Sequence, residues 1–505
     1  MVTRQKVALA ASTLLLSACA AQARWSPRVV TSTVELSGIL TRTATSYVLE
    51  HDSSDASLQW QFGVKQDQAL IEVQLGRGGN KQTVTPRQAA AAGDDSGATI
   101  WTVDLPQPAQ GTATTVTIAT TSSRETKPDP PALPQNADSI LMLWSGDLMA
   151  PLSIMSDQER QQLEEVKIKV KAPSPRIGDI KAPDAFNVAH TKGGATVTFT
   201  LKSSDAQSSS TEPQTASIQY VQPEAIASMR TLNRIVEISH WGSVMAVQDN
   251  IDLFNSGPEL LGQFSRLDFQ RASMQRRASN LAVTSIQVVL PPNIERPYYY
   301  DTVGNVSTSR FRPSSAPHQA VLPSQRRAKA NAASTLDLFP RFPLMGGWNY
   351  TFTMGYDAPL KDFEKKRISG AGGSQHILGV PFLTPIKNVA VDAVRFEVRL
   401  PEGASNIKVH TPFPVDAIEQ GGLTKTYLDT TGRPTVVLRK RNCSDQHGGL
   451  VLIEYTLSPL LEVVRKPLAI AVMSFAAFLI IFVSKRIDWS IPGADPNLKR
   501  DIKTL

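Results

Sequence analysis

The stretch PLAIAVMSFAAFLIIFV (Pro467–Val483) decides how the rest of the chain is read. It carries no charged residue, Arg465 and Lys466 precede it, and Lys485 and Arg486 follow it. An uncharged apolar run of this length is a candidate membrane span. In hydrocarbon, a lone segment satisfies its own backbone only as a helix. At 1.5 Å per residue it reaches about 25 Å. That suits the thin bilayer of the endoplasmic reticulum better than the plasma membrane. Basic pairs at both ends argue against a buried core helix.

The other end reads as a secretory signal peptide, Met1–Ala23. Arg4 and Lys6 are basic, Val7–Leu16 is apolar, and small residues offer cleavage after Ala20 or Ala23. Leu16-Ser17-Ala18-Cys19 also fits a bacterial lipobox that would acylate Cys19, but a chain anchored at its far end has little need of a second anchor. A cleaved signal plus one distal span predicts a single-pass type I protein. Residues 24–464 are then outside the cytoplasm, 465–484 form the span, and 485–505 a short cytoplasmic tail. Lys485, Arg486, Lys499, Arg500 and Lys503 give that tail the expected positive excess.

Charge is modest, with a formal net of +7. It sits in separate clusters such as Arg276-Arg277, Lys365-Lys366-Arg367 and Arg439-Lys440-Arg441. No contiguous basic patch with aromatics exists, so no nucleic-acid partner is expected. Cys19 leaves with the signal, and Cys443 alone cannot close an intrachain disulfide. Stability must come from a large core. Cys443 is either a buried thiol or an intermolecular partner.

Between the ends the pattern is β. Thr33–Leu36, Tyr47–Leu49, Gln59–Phe62, Leu70–Leu75, Thr114–Ile118, Val166–Val170 and Val197–Leu201 favour strands, separated by polar or glycine-rich turns. This spacing predicts an antiparallel sandwich. Lys127–Pro134 predicts a loop, Ser156–Glu159 a capping box opening a short helix, and Ser203–Thr215 a polar surface segment. A boundary near Gln222 separates a first domain, 24–222, from a second, 223–464. The second opens on Arg234–Arg271. Val236 and Ile238, then Met245, Val247, Ile251 and Leu253, form the inward faces of a predicted hairpin turning at Gly242-Ser243. Leu281–Leu290, Trp348–Tyr356, Phe396–Leu400, Val436–Leu438 and Leu450–Tyr455 add strands, and Arg310–Ser334 a long polar loop. The expected fold is mostly β: two β-sandwich-like lumenal domains followed by one C-terminal transmembrane helix.

Catalytic signatures are missing. The seven histidines give no H-E-x-x-H and no cysteine–histidine zinc spacing, and Cys443 with His447 is too little. There is no G-x-S-x-G elbow and no C-x-x-C. Gly370–Gly373 reads as a flexible loop rather than a phosphate cradle. No catalytic, cofactor-binding or metal-binding residue is therefore expected, and no cofactor. Three N-x-[S/T] sequons begin at Asn305, Asn349 and Asn442. Asn305 ranks first, because Gly304 places it in a turn-like context.

R-I-V-E-I-S-H-W-G (234–242), G-Q-F-S-R-L-D-F-Q-R (262–271) and Tyr298-Tyr299-Tyr300-Asp301 leading to G-N-V-S-T-S (304–309) go together. So do P-R-F-P-L-M-G-G-W (340–348), L-P-E-G-A-S-N-I (400–407), Y-L-D-T-T-G-R-P (427–434) and R-I-D-W-S-I (486–491). With these motifs, residues from about Asp138 to Ile491 resemble the ribophorin I family, the α subunit of oligosaccharyltransferase. The resemblance implies a non-catalytic subunit of the enzyme that moves a preassembled glycan from dolichyl pyrophosphate to nascent Asn-x-Ser/Thr. It also implies two β-rich lumenal domains beside the catalytic subunit, in the endoplasmic reticulum membrane. The implied partners are the catalytic and accessory subunits, the nascent polypeptide, the translocation channel and the lipid bilayer. His240, Trp241, Tyr298, Tyr299 and Tyr300 are the candidate contact residues where they are exposed, with a core role the alternative for Trp241. Animal members of that family carry a longer cytosolic domain, so the short tail here resembles fungal members.

The alternative is a membrane-anchored lumenal or cell-surface binding protein unrelated to glycan transfer. Scarce cysteine and a short span argue against a surface receptor. A lumenal hydrolase would need a nucleophile–base or metal constellation that the sequence does not display.

Overall fold

The computed structural model describes residues 25–487, apart from 52–58, 66–67, 77–81, 89–97, 106–112, 124, 153–154, 156–162, 192, 203–213, 276–279, 315–332, 369–373, 387, 427–428 and 430. The signal segment, the Ser156–Glu159 capping box, the Gly370–Gly373 loop and the tail beyond Ile487 lie outside the described residues.

Trp25–Ser37 and Leu40–His51 form the first hairpin. It turns at Gly38, whose φ of +62° disfavours any Cβ. Val30, Val34 and Leu36 are buried on one face, as period two requires. The hairpin lies inside an eight-stranded sheet. Glu165–Lys171 runs parallel to Trp25–Ser37, with Val29 opposite Glu165. The sheet is therefore mixed rather than purely antiparallel. The cause is a crossover: after Thr114–Ser122 the chain builds Thr126–Pro128 and Ile140–Asp147 of a separate four-stranded sheet, then returns beside the first strand.

The stretch read as a loop, Lys127–Pro134, contains two short strands. Thr126–Pro128 forms the edge of the four-stranded sheet, and Ala132–Leu133 pairs in parallel with Glu259–Leu260. Edge positions tolerate the missing proline N–H, which hides such strands from a sequence reading.

The hairpin Ala227–Ser239 and Val244–Asn255 sits at the centre of a second eight-stranded sheet. Val236, Ile238, Met245, Val247, Ile251 and Leu253 are all buried, as the alternation predicted. His240–Ser243 make the turn, with Ser243 at φ +51°. One neighbour, Ala390–Arg399, is parallel to the hairpin; the other, Asn349–Pro359, is antiparallel. A four-stranded sheet of Glu364–Ile368, Ser374–Pro381, Leu450–Leu457 and Ser405–His410 contributes Leu378, Val380, Ile453 and Tyr455 to the same core.

Two clusters of buried side chains result. One draws on Trp25 through Ile226 and takes in Leu281, Ala282 and Met345; the other spans Met229 through Tyr455. Trp348 packs against both. Arg42 Nη2 also reaches Asp445 Oδ2, 2.8 Å away, across a sequence separation of 403 residues.

Helices are few. Arg266–Met274 was not foreseen; Ser265 caps it, its hydroxyl accepting from Asp268 N at 3.3 Å. The apolar run forms the end of a longer helix, Pro459–Ser484. Pro459 sits in its first turn, where a missing N–H costs nothing. No residue of Pro467–Ser484 is buried by the rest of the protein.

Candidate functional site

The hairpin turn delivers His240 to the neighbouring four-stranded sheet. There Glu364, His376 and Tyr455 stand on three adjacent strands, with Lys366 opposite His376 and His376 opposite Tyr455. His240 Nε2 lies 2.8 Å from the Tyr455 hydroxyl and 3.1 Å from Glu364 Oε1. His376 Nδ1 lies 3.1 Å from the same carboxylate oxygen. Tyr455 Oη donates to that oxygen as well. The ring of His376 stacks on Tyr455, with centroids 5.2 Å apart and planes 10° from parallel. Burial opposes charge on Glu364, but hydrogen bonds from His240, His376 and Tyr455 outweigh it and hold the carboxyl below its usual range.

Each strand places its residue by ordinary pleating. His376 and Leu378 point inward on the same face of Ser374–Pro381, and Tyr455 shares a face with Ile453 and Val451 on Leu450–Leu457. The side chains of His240, Glu364 and His376 are only 8%, 11% and 1% exposed. His240 is thus not an open contact residue, which corrects the sequence expectation. Its neighbour Trp241 is 57% exposed at the hairpin tip. Glu364, His376 and Tyr455 escaped sequence reasoning. They are far apart along the chain, and only the strand register brings them together.

The tyrosine run divides by the same period-two rule. Tyr298 and Tyr300 are each 39% exposed, their rings stacked with centroids 6.1 Å apart. Tyr299 points the other way and is buried, its hydroxyl 2.8 Å from that of Tyr350. Tyr299 therefore cannot touch a partner, a second correction. Tyr350 Oη donates to Asp301 Oδ2 at 3.1 Å, and Arg341 Nε donates to the same oxygen. Asp301 Oδ1 accepts from the backbone N–H groups of Val303 and Gly304. Arg341 Nη2 also donates to the carbonyls of Gly304 and Asn305. This network fixes the turn that carries the Asn305 sequon.

Asn305 and Asn349 are exposed. Asn442 is half-buried at φ +54°, and its sequon hydroxyl, on Ser444, is buried. Asn442 also lines a cleft of about 840 Å³ between Lys65, Gln68 and Trp101 on one wall and Asp416, Lys440 and Arg441 on the other. Cys443 is a buried free thiol, pushed up to about 12 by burial. His447 packs edge-on against Phe413 and accepts from Ser444 N at Nδ1, 3.1 Å away. Burial lowers it to about 3.

Among the described residues the arrangement defines a β-rich scaffold with one long apolar helix following it, an exposed aromatic surface and an internal polar cluster. A family model described as Ribophorin I matches residues 25–485, and the chain belongs to that family. It is 29% identical over 427 residues to subunit 1A of dolichyl-diphosphooligosaccharide–protein glycosyltransferase from Arabidopsis thaliana, covering 84% of this chain and 62% of that protein. Subunit 1 of the same enzyme from Caenorhabditis elegans is 27% identical over 486 residues, covering 95% of this chain and 75% of the relative. Subunit 1B from Oryza sativa subsp. japonica is 32% identical over 277 residues, covering 54% and 52%.

Proposed function

We propose that the chain is a non-catalytic subunit of the oligosaccharyltransferase complex, which glycosylates nascent proteins at Asn-x-Ser/Thr from a dolichyl-pyrophosphate-linked glycan. The family match from 25 to 485 carries this reading. The names of the relatives, numbered subunits of that glycosyltransferase, support it. The chain sits in the endoplasmic reticulum membrane by its C-terminal helix. Domains 24–222 and 223–464 are lumenal, and the tail from 485 is cytoplasmic.

Its physical role is to stabilise the complex and to present acceptor chains. A rigid β wall beside the catalytic subunit holds an emerging polypeptide near the site of transfer and raises its effective concentration there. Trp241, Tyr298 and Tyr300 are the exposed aromatic side chains suited to that contact. The partners are the catalytic and accessory subunits, the nascent polypeptide, the translocation channel and the bilayer.

Purification of the C-terminally tagged chain in mild detergent tests this. Recovery of a polytopic glycosyltransferase in near-equal amount is expected. Recovery of the chain alone, under conditions that keep membrane complexes intact, overturns the reading. Orientation is checked separately. Expression in a eukaryotic host is expected to give a mobility shift on deglycosylation that Asn305→Gln reduces, and no shift sinks the lumenal assignment.

A further inference from the structure

We propose that His240, Glu364 and His376 form a zinc site that ties the hairpin turn of the large sheet to the four-stranded sheet leading into the C-terminal helix. One donor atom from each of His240, Glu364 and His376 lies within 4.8 Å of the other two. Two imidazoles and one carboxylate are a donor set that zinc favours. Zinc holds such atoms at about 2.0–2.2 Å, so ligands on a tetrahedron stand roughly 3.3–3.6 Å apart. The separations of 3.1 Å from Glu364 to each imidazole need to open by only a few tenths of an ångström. The Tyr455 hydroxyl, 2.8 Å from His240 Nε2 and hydrogen-bonded to Glu364 Oε1, has to draw back from both to serve as the fourth ligand.

Proton placement suits a metal at His376, whereas His240 Nε2, which donates toward Tyr455 and Glu364, gives up its proton to bind one. Ser374 Oγ donates to the Leu457 carbonyl at 3.3 Å. Its oxygen is thereby left to accept from His376 Nε2–H, 3.1 Å away. With Nε2 protonated, a neutral His376 aims the lone pair of Nδ1 at Glu364. Tyr455 already donates its own proton to that carboxylate. Nδ1 and Oε1 at 3.1 Å are held by one positive charge, which is either the second proton of an imidazolium hydrogen-bonded to Glu364 or a metal ion in its place. The metal ion displaces to solvent any proton held at Nδ1. A ligating histidine that donates its other N–H to a fixed oxygen is the outer-shell pattern of metal sites. The burial of all three side chains gives the ion a dry, closed setting, suited to a structural role rather than to an open catalytic position.

The test uses the full-length chain in detergent, stripped with chelator and dialysed against zinc chloride. Retention of one zinc per chain is expected, measured by elemental mass spectrometry. Glu364→Gln and His376→Gln abolish retention, and Ser374→Ala weakens affinity by about 10–100-fold. His410→Ala removes an exposed histidine paired with Glu454 and leaves retention unchanged. Replacing zinc with cobalt gives the wild type the intense visible absorption of four-coordinate cobalt, which decides the matter even where a ligand variant fails to fold. Absence of retained zinc from folded wild type, retention that survives Glu364→Gln and His376→Gln, or only the pale spectrum of six-coordinate cobalt overturns the proposal.

Discussion

Arg234 and Asp249 meet face to face in the interior of the second core. Guanidinium Nη1 lies 2.8 Å from Oδ2, and both side chains are at most 1% exposed. The strand register places them directly opposite on the central hairpin. Thr384 Oγ1 donates to the same carboxylate at 2.8 Å, and Tyr356 accepts from Nη2 at 3.3 Å. Arg234→Ala or Asp249→Ala strands one buried charge. Each is expected to lower unfolding stability by about 3–5 kcal/mol, whereas Arg234→Met with Asp249→Leu recovers most of it. Denaturant melts of the single and double variants measure this, and additive losses would contradict it.

His447 makes the fold sensitive to acid. Folded, it stays neutral down to about 3, against an ordinary value of 6.5. Below pH 6.5 the unfolded chain therefore binds a proton that the folded chain refuses. Stability falls by about 1.4 kcal/mol per pH unit from there toward pH 3 and is unaffected above it. His447→Gln is expected to flatten this slope in thermal melts between pH 7 and pH 5. An unchanged slope assigns the acid sensitivity elsewhere.

Trp241 is exposed, so Trp241→Ala is expected to change stability by less than about 0.5 kcal/mol. Under the proposed function it reduces glycosylation of a subset of acceptors, read by site occupancy in cells carrying only the variant. A large loss of the protein itself would give Trp241 a packing role instead.

Gly355 lets the Tyr298 ring lie directly on the backbone, occupying the space that a Cβ would fill. Gly355→Ala is expected to push the ring away and break its stack on Tyr300. Acceptor contact then falls as in Tyr298→Ala, with a similar small change in melting temperature. Normal occupancy in both variants removes the tyrosine pair from the contact surface.

Much of the architecture is legible in the residues. The alternation on either side of Gly242-Ser243 predicts the central hairpin, and the charge-free run predicts the exposed apolar helix. What escapes is whatever depends on returning chain. Period two says which face of Glu165–Lys171 is buried but not that it runs parallel to Trp25–Ser37. The same limit applies to the polar cluster. His240 stands out beside a turn, while Glu364 hides in a basic run and His376 and Tyr455 in ordinary strands. Tyr299 illustrates the reverse, since alternation within three tyrosines was enough to bury the middle one.

The parallel pairings set a timetable for synthesis. Val29 finds its partner only when Glu165 has emerged, and Ser228 waits for Ala390. At translation rates of about 5–20 residues per second, each central strand stands with one open edge for on the order of ten seconds. During that wait the exposed ladder is the part of the nascent chain most prone to pair with the wrong neighbour, so a chaperone that shields open strand edges would act chiefly on these two windows.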